Sequence, residues 1–249
     1  GAQPVLWVSE EALYRPGKAI RGGIPLIWPW FGPHPSDAAK PQHGFVRTSW
    51  WQLTKTEENY AGETEISFTL ENSEATRPLL PHPFRLALLV TIGQKLQVAF
   101  TMQHKGDAPV DITAALHTYF KIGDINQVRV HGLEGTRFID KVKHGREDVE
   151  DKPLQIRHEV DRVYYNTTAD CLIKDASLKR TIRVSKKGSL STVVWNPWTD
   201  KAQNMSDFPD DGYEEMLCIE TVNASDYDTI TLEPGGLHTL SAVIGVEPL

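Results

Sequence analysis

Apolar and polar residues alternate in short runs along most of the chain. Residues 63–70 place Ile66, Phe68 and Leu70 on one face of an extended segment, with polar residues between them. Comparable runs cover residues 84–92, 95–103, 110–116, 127–131, 155–160, 181–185, 189–195, 216–222, 229–232 and 238–246. Turn formers separate them, among them Gly93-Gln94, Lys105-Gly106-Asp107, Lys187-Gly188 and Pro234-Gly235-Gly236. Many short strands at this spacing predict an all-β antiparallel sandwich or barrel. No stretch of ten or more residues keeps a 3.6-residue period. Only short helical turns are expected, near residues 206–208 and 211–216. Without repeats, linkers or a compositional break, residues 1–249 read as one domain.

One region departs from this rhythm. Residues 21–51 are rich in Trp, Phe and Pro and carry Arg21, Gln42, His43 and Arg47. A long aromatic, Pro-rich loop inside a compact domain is either functional or a wrongly assigned element.

Composition narrows the field. The 249 residues are 40% hydrophobic and 24% charged, ordinary values for a globular chain with a substantial core. The net charge of −7 and the lack of a basic stripe argue against nucleic acid as a partner. They allow a phosphorylated small molecule, since two or three local cations can bind one phosphate. No apolar run reaches the length of a membrane span, and no signal peptide is visible. Cys171 and Cys218 sit among apolar neighbours outside any zinc spacing, so they read as buried free thiols in a reducing cytoplasm. No metal or organic cofactor is expected.

Five constellations could carry chemistry. Arg21-Gly22-Gly23-Ile24-Pro25 precedes Trp28-Pro29-Trp30-Phe31-Gly32. Its arginine could grip a phosphate, its glycines admit a ligand or another chain segment, and its rings stack on a sugar or simply fill core. Gln42-His43-Gly44-Phe45-Val46-Arg47 gathers amide, imidazole and guanidinium groups, for a ligand or for local hydrogen bonds. His117 shares a strand face with Ala115 and Tyr119, where small neighbours leave room for a ligand above a half-buried imidazole. Glu220 interrupts an otherwise apolar strand in Met216-Leu217-Cys218-Ile219-Glu220-Thr221-Val222-Asn223. A carboxylate buried there needs either a structural ion-pair partner or a catalytic task. Asp161 could accept hydrogen bonds from sugar hydroxyls, and Asn196-Pro197 reads as a turn ending a strand.

Taken together, residues 21–32 (RGGIPLIWPWFG), 42–51 (QHGFVRTSWW), 116–120 (LHTYF), 159–166 (EVDRVYYN), 193–198 (VVWNPW) and 218–224 (CIETVNA) resemble the bacterial hexose-6-phosphate 1-epimerases, the YeaD-like mutarotases of the aldose 1-epimerase superfamily. The blocks span nearly the whole chain in family order. The resemblance implies a large antiparallel β-sandwich, the galactose-mutarotase-like supersandwich. It implies interconversion of α and β anomers of a hexose 6-phosphate such as glucose 6-phosphate. It implies His117 as acid and Glu220 as base, Arg21 and Arg47 as phosphate ligands, and Gln42, His43 and Asp161 as sugar contacts. The family has more sequence ahead of this start, which leaves open a further N-terminal strand.

Such chemistry needs a base at the C1 hydroxyl and an acid at the ring oxygen, so one group is ionised and the other protonated. With reference pKa values of about 4.3 and about 6.5, an anionic Glu220 beside a His117 imidazolium is the expected pair. Three other readings stand beside this one: a non-catalytic carbohydrate-binding module, an epimerase of unphosphorylated aldoses, and a sugar-phosphate sensor. The expected partner is a sugar phosphate, and the expected state is a monomer or weak homodimer.

Overall fold

The structure is a computed structural model that describes residues 3–224 and 227–249. Two eight-stranded sheets face each other, and every pairing between their strands is antiparallel. The first sheet runs Leu26–Ile27, Ala114–Leu116, Met216–Asn223, Ser191–Asn196, Val160–Tyr164, Arg137–Asp140 and Arg146–Val149; Tyr119–Lys121 also pairs with Met216–Asn223. The second runs Gln52–Glu58, Thr64–Glu71, Phe84–Ile92, Leu96–His104, Leu237–Pro248, Arg180–Lys187, Cys171–Asp175 and Val128–His131. A two-stranded ribbon, Val110–Ile112 with Ile230–Leu232, lies apart from both.

The core fills the space between the sheets. Toward one end Leu217, Ile219, Val160 and Val194 of the first sheet pack with Ile173, Ile182, Val184 and Ile244 of the second. Toward the other, Leu26 and Leu116 meet Leu86, Phe100, Met102 and Leu240. Each fully buried side chain of this size contributes about 1.5–3 kcal/mol relative to exposure.

The first sheet is also buried on its outer face. There Ile27, Ala115, Tyr119, Val163, Val193, Trp195, Cys218 and Val222 pack under Trp7, Phe31 and Phe208 from the covering loops and Ala202 from a short helix. Alternation therefore gives Met216–Asn223 two buried faces, and Glu220 lies with Cys218 and Val222 on the outer one. This is the face that carries the site.

Residues 110–116 are not one strand. At Thr113 the chain leaves the ribbon and enters the first sheet. The Thr113 N–H donates to the Pro29 carbonyl at 3.0 Å, and its hydroxyl accepts from the Phe31 N–H at 2.7 Å. The strand expected over residues 155–160 starts only at its last residue and runs Val160–Tyr164. The helical content is one six-residue helix, Trp198–Gln203, and three short 3₁₀ turns among the described residues.

Candidate active site

The site grows from a break in one strand. Ala114–Leu116 and Tyr119–Lys121 both pair with Met216–Asn223 in one continuous register, and residues 117 and 118 drop out of the pairing between them. The His117 N–H turns to the Pro25 carbonyl at 3.0 Å, and the Thr118 N–H closes a tight turn on Leu116 at 2.9 Å. The unbroken register sets His117 directly across from Glu220, on the same face. His117 Nε2 lies 3.4 Å from Glu220 Oε1. The ring stacks on Tyr119, with centroids 4.9 Å apart and planes 9° from parallel.

Neighbouring strands supply the rest of the floor. Val163, Val193 and Glu220 lie in one cross-strand row, and Asp161, Trp195 and Cys218 in the next. Above them is a cavity of about 400 Å³. Arg21, Gln42, His43, Arg47, His117, Asp161 and Glu220 all line it, so the fold brings together every site residue expected from the sequence. Tyr119, Lys141, Trp195, Lys201 and Met205 line it as well.

The loop of residues 21–51 wraps this cavity for reasons that the glycines make plain. Gly44 has φ +69°, and a Cβ there would lie 1.8 Å from the Trp28 carbonyl oxygen. Gly22 has φ +120°, and its Cβ would strike the backbone of Trp7 and Val8. These two glycines admit other chain segments, not a ligand. Of the loop's rings, Trp28 packs edge-on against Phe45 and Phe84 in the core, whereas Phe31 borders the cavity.

The cations differ in how free they are. Arg21 forks onto Asp207, with Nε to Oδ2 at 3.2 Å and Nη2 to Oδ1 at 3.1 Å, and donates from Nη1 to the Tyr119 hydroxyl at 3.3 Å. Its charge is largely matched. Arg47 donates from Nη2 to the Gln42 carbonyl at 3.0 Å, and no carboxylate lies within ion-pair distance of it among the described residues. Lys141 lies over the Phe31 ring at 4.7 Å, and Lys201 holds Glu159 at 2.6 Å.

Protonation states follow from burial. The Gly32 N–H donates to His43 Nδ1 at 3.2 Å, so Nε2 bears the ring proton. Burial, then the charges of Arg47, Lys141 and Arg21, lower the His43 pKa to about 3. His43 is therefore a neutral donor. Burial pushes the Glu220 carboxyl well up, helped by Asp161 and opposed by Lys141. Burial pushes His117 well down, helped by His43, Arg47 and Arg21. The site thus favours a protonated Glu220 beside a neutral imidazole, instead of the charge-separated pair expected from ordinary pKa values. Desolvation outweighs the mutual attraction that favours charge separation. The number of protons is unchanged: the couple still holds one. Asp161 is also raised, by burial first, against the pull of Lys141 and Lys201.

Two polar atoms of the pair, His117 Nδ1 and Glu220 Oε2, are buried without a hydrogen-bond partner. Buried groups left this way are costly and commonly functional.

A one-proton acid–base couple under a sugar-sized, cation-rimmed cavity on a β-sandwich fits an aldose epimerase, and the comparison with known families decides it: the aldose 1-epimerase model matches residues 1–244. The chain belongs to the aldose 1-epimerase family. It is an isomerase of that type, on a mutarotase-like sandwich. Among its relatives, a protein from Salmonella typhimurium (strain LT2), provisionally named glucose-6-phosphate 1-epimerase, is 41% identical over 226 residues, covering 90% of this chain and 74% of the relative. One from Escherichia coli K12, named in the same way, is 39% identical over 234 residues, covering 94% of this chain and 77% of the relative. The crystal structure of a Salmonella typhimurium protein provisionally named as the mutarotase YeaD superposes with a TM-score of 0.92 at 38% identity, covering all of this chain and 82% of the other.

Among the epimerase's cavity residues, some had a signal in the sequence and others none. Tyr119 shares the face of His117 by simple alternation, and Trp195 ends an apolar strand. Lys141 and Lys201 lie just after Arg137–Asp140 and within Trp198–Gln203, two elements without a readable period.

Proposed function

We propose that the protein interconverts the α and β anomers of a hexose 6-phosphate, with glucose 6-phosphate as the first substrate to try. The observation that carries this reading is the His117–Glu220 couple, 3.4 Å apart on the floor of a cavity that also holds Arg47, Arg21, Lys141 and Lys201. The provisional names of the relatives, at 41% and 39% identity, favour the same substrate.

Anomerisation proceeds in three steps. Glu220 takes the proton of the C1 hydroxyl while His117 gives one to the ring oxygen, and the C1–O5 bond breaks. The aldehyde rotates about C1–C2. As the ring closes on the other face of C1, Glu220 returns its proton to the C1 oxygen and His117 takes one back from the O5 hydroxyl. After the first step Glu220 is protonated and His117 neutral, which is the state burial favours. The site is thus electrostatically matched to the open-chain intermediate. To start from a closed sugar, the couple must become charge-separated. A phosphate dianion beside Arg47 and Arg21 assists, because it cancels the positive charges that oppose the imidazolium. His43 Nε2–H and the Asp161 carboxyl are placed to hold sugar hydroxyls.

Phosphate recognition falls chiefly to Arg47, with Arg21 braced by Asp207 as its neighbour. The whole chain acts as one domain, a monomer or weak homodimer, in the cytoplasm. No helix among the described residues is long and apolar enough to cross a membrane. The test is saturation kinetics of glucose 6-phosphate anomerisation for wild type and His117→Ala. The reading expects a loss of about 10²–10⁴-fold in the variant. A variant rate near that of wild type would remove His117 from the mechanism.

A further inference from the structure

The mechanism above makes no use of Cys218, yet its thiol lies against the reacting pair. The sulfur of Cys218, a ring nitrogen of His117 and a carboxylate oxygen of Glu220 all lie within 4.8 Å of one another. We propose that these three side chains form a binding site for a thiophilic divalent cation such as zinc, and that its occupancy switches the enzyme off.

The donor chemistry is the first argument. Thiolate, imidazole and carboxylate are the ligands zinc selects, and catalytic or regulatory sites use three of them with a fourth position open. Geometry is the second. With Zn–N and Zn–O bonds of about 2.0–2.1 Å, a tetrahedral N···O edge is about 3.3–3.4 Å. His117 Nε2 and Glu220 Oε1 already stand 3.4 Å apart. Cys218 sits two residues before Glu220 on the same strand face, so a side-chain rotation can complete the triangle. His117 and Glu220 both line the substrate cavity, which leaves room for a fourth ligand on that side.

Charge is the third argument. A dication with one thiolate and one carboxylate is neutral overall, which suits a site where Glu220 is 2% exposed and Cys218 is fully buried. Glu220 Oε2, buried and without a partner, gains one if the carboxylate binds through both oxygens. Binding releases the Cys218 thiol proton and the proton shared by the couple, both to solvent. No electrons move, and the carbon skeleton of the sugar is untouched.

The site lacks what a permanent metal centre has. A resident zinc histidine usually donates its other ring nitrogen to a carboxylate or carbonyl, whereas His117 Nδ1 has no partner. This absence favours reversible occupancy. A bound cation takes the lone pairs of both His117 and Glu220 and so leaves neither acid nor base for the sugar. The inhibitory consequence rests on the anomerase reading; the metal site itself does not.

The probe is cadmium chloride, followed by the ultraviolet charge-transfer band of a cadmium–thiolate bond, with zinc chloride as competitor. The chain has two cysteines, so the variants Cys171→Ala and Cys218→Ala assign the band. Wild type and Cys171→Ala are expected to saturate at one cation per chain, with zinc displacing cadmium. Cys218→Ala, with Cys218→Ser as a second replacement, is expected to lose the band and to resist zinc inhibition at least about tenfold better. If neither Cys218 variant folds, the band in Cys171→Ala alone still assigns the site. No band in folded wild type, a band that persists in Cys218→Ala, or zinc inhibition unchanged by loss of the thiol would each overturn the proposal. A Cys218-dependent band in a protein that does not accelerate anomerisation would uphold the metal site and defeat the functional reading instead.

Discussion

Replacing Glu220 with Gln separates a catalytic carboxyl from a structural one. The two roles predict opposite effects on stability. If the His117 contact were a structural ion pair, removing one charge would leave the other buried and cost about 3–5 kcal/mol. For a chain of this size that is a fall in Tm of about 6–20 °C. The structure argues otherwise. Glu220 is 2% exposed, Oε2 has no partner, and burial holds its carboxyl well above the usual range. A group whose folded pKa is raised loses stability for the protein as pH rises from its unfolded value, about 4.3, through the folded one. At neutral pH the carboxyl therefore costs stability, and a neutral amide of the same shape removes that cost. Glu220→Gln is expected to keep or raise Tm while anomerisation falls by about 10²–10⁴-fold, equivalent to about 2.7–5.5 kcal/mol in the barrier. Thermal unfolding at pH 7 and polarimetry on glucose 6-phosphate read the two quantities from one preparation. A large drop in Tm with a rate within tenfold of wild type would refute the assignment.

Three further predictions concern the rim, the titration and the loop. Arg47→Ala should raise KM for glucose 6-phosphate by at least about tenfold with little change for glucose, because its guanidinium faces the cavity without a carboxylate partner. Arg21→Ala should also lower Tm, because it strands Asp207; matched effects of the two variants on both sugars would deny them a phosphate role. The pH profile of glucose anomerisation should show no step near 6.5, since His43 titrates at about 3 and the His117–Glu220 couple resists both gaining a second proton and losing its only one. Its acid limb should lie below the ordinary imidazole value; an inflection at that value would mean that a water-exposed histidine controls the rate. Gly44→Ala should destabilise the protein by more than about 1 kcal/mol, measured by urea unfolding, because φ is +69° and Trp28 occupies the space.

The parts of the fold that were legible in the sequence are those whose physics is local. Phe84–Ile92 and Met216–Asn223 advertise themselves by alternation or by continuous apolarity, and both appear where the pattern puts them. Gln52–Glu58 and Arg146–Val149 left no such trace. They are edge strands, exposed along their whole length, so no buried face imposes a period. Residues 110–116 misled for a different reason. Residues on both sides of Thr113 do form strands, and only the tertiary bond from Thr113 to Pro29 reveals that the chain changes sheets there.

The site shows the same division. Glu220 stood out because a carboxyl in an apolar strand is anomalous by itself. The protonation of its pair was not legible, since it depends on how completely loops from distant parts of the chain exclude water. Arg21 and Arg47 look equivalent in sequence and are not, because Asp207, 186 residues away, claims one of them. Lys141 and Lys201 carry no local signal and enter the cavity only through the fold.

The central claim is that one proton, shared by His117 and Glu220, opens and closes a phosphorylated pyranose. Exchange NMR on glucose 6-phosphate, beside glucose at the same concentration, tests it most directly. The account predicts α–β exchange well above the spontaneous rate in the presence of the protein, and greater acceleration for the phosphorylated sugar. Exchange of both sugars at the spontaneous rate would contradict it.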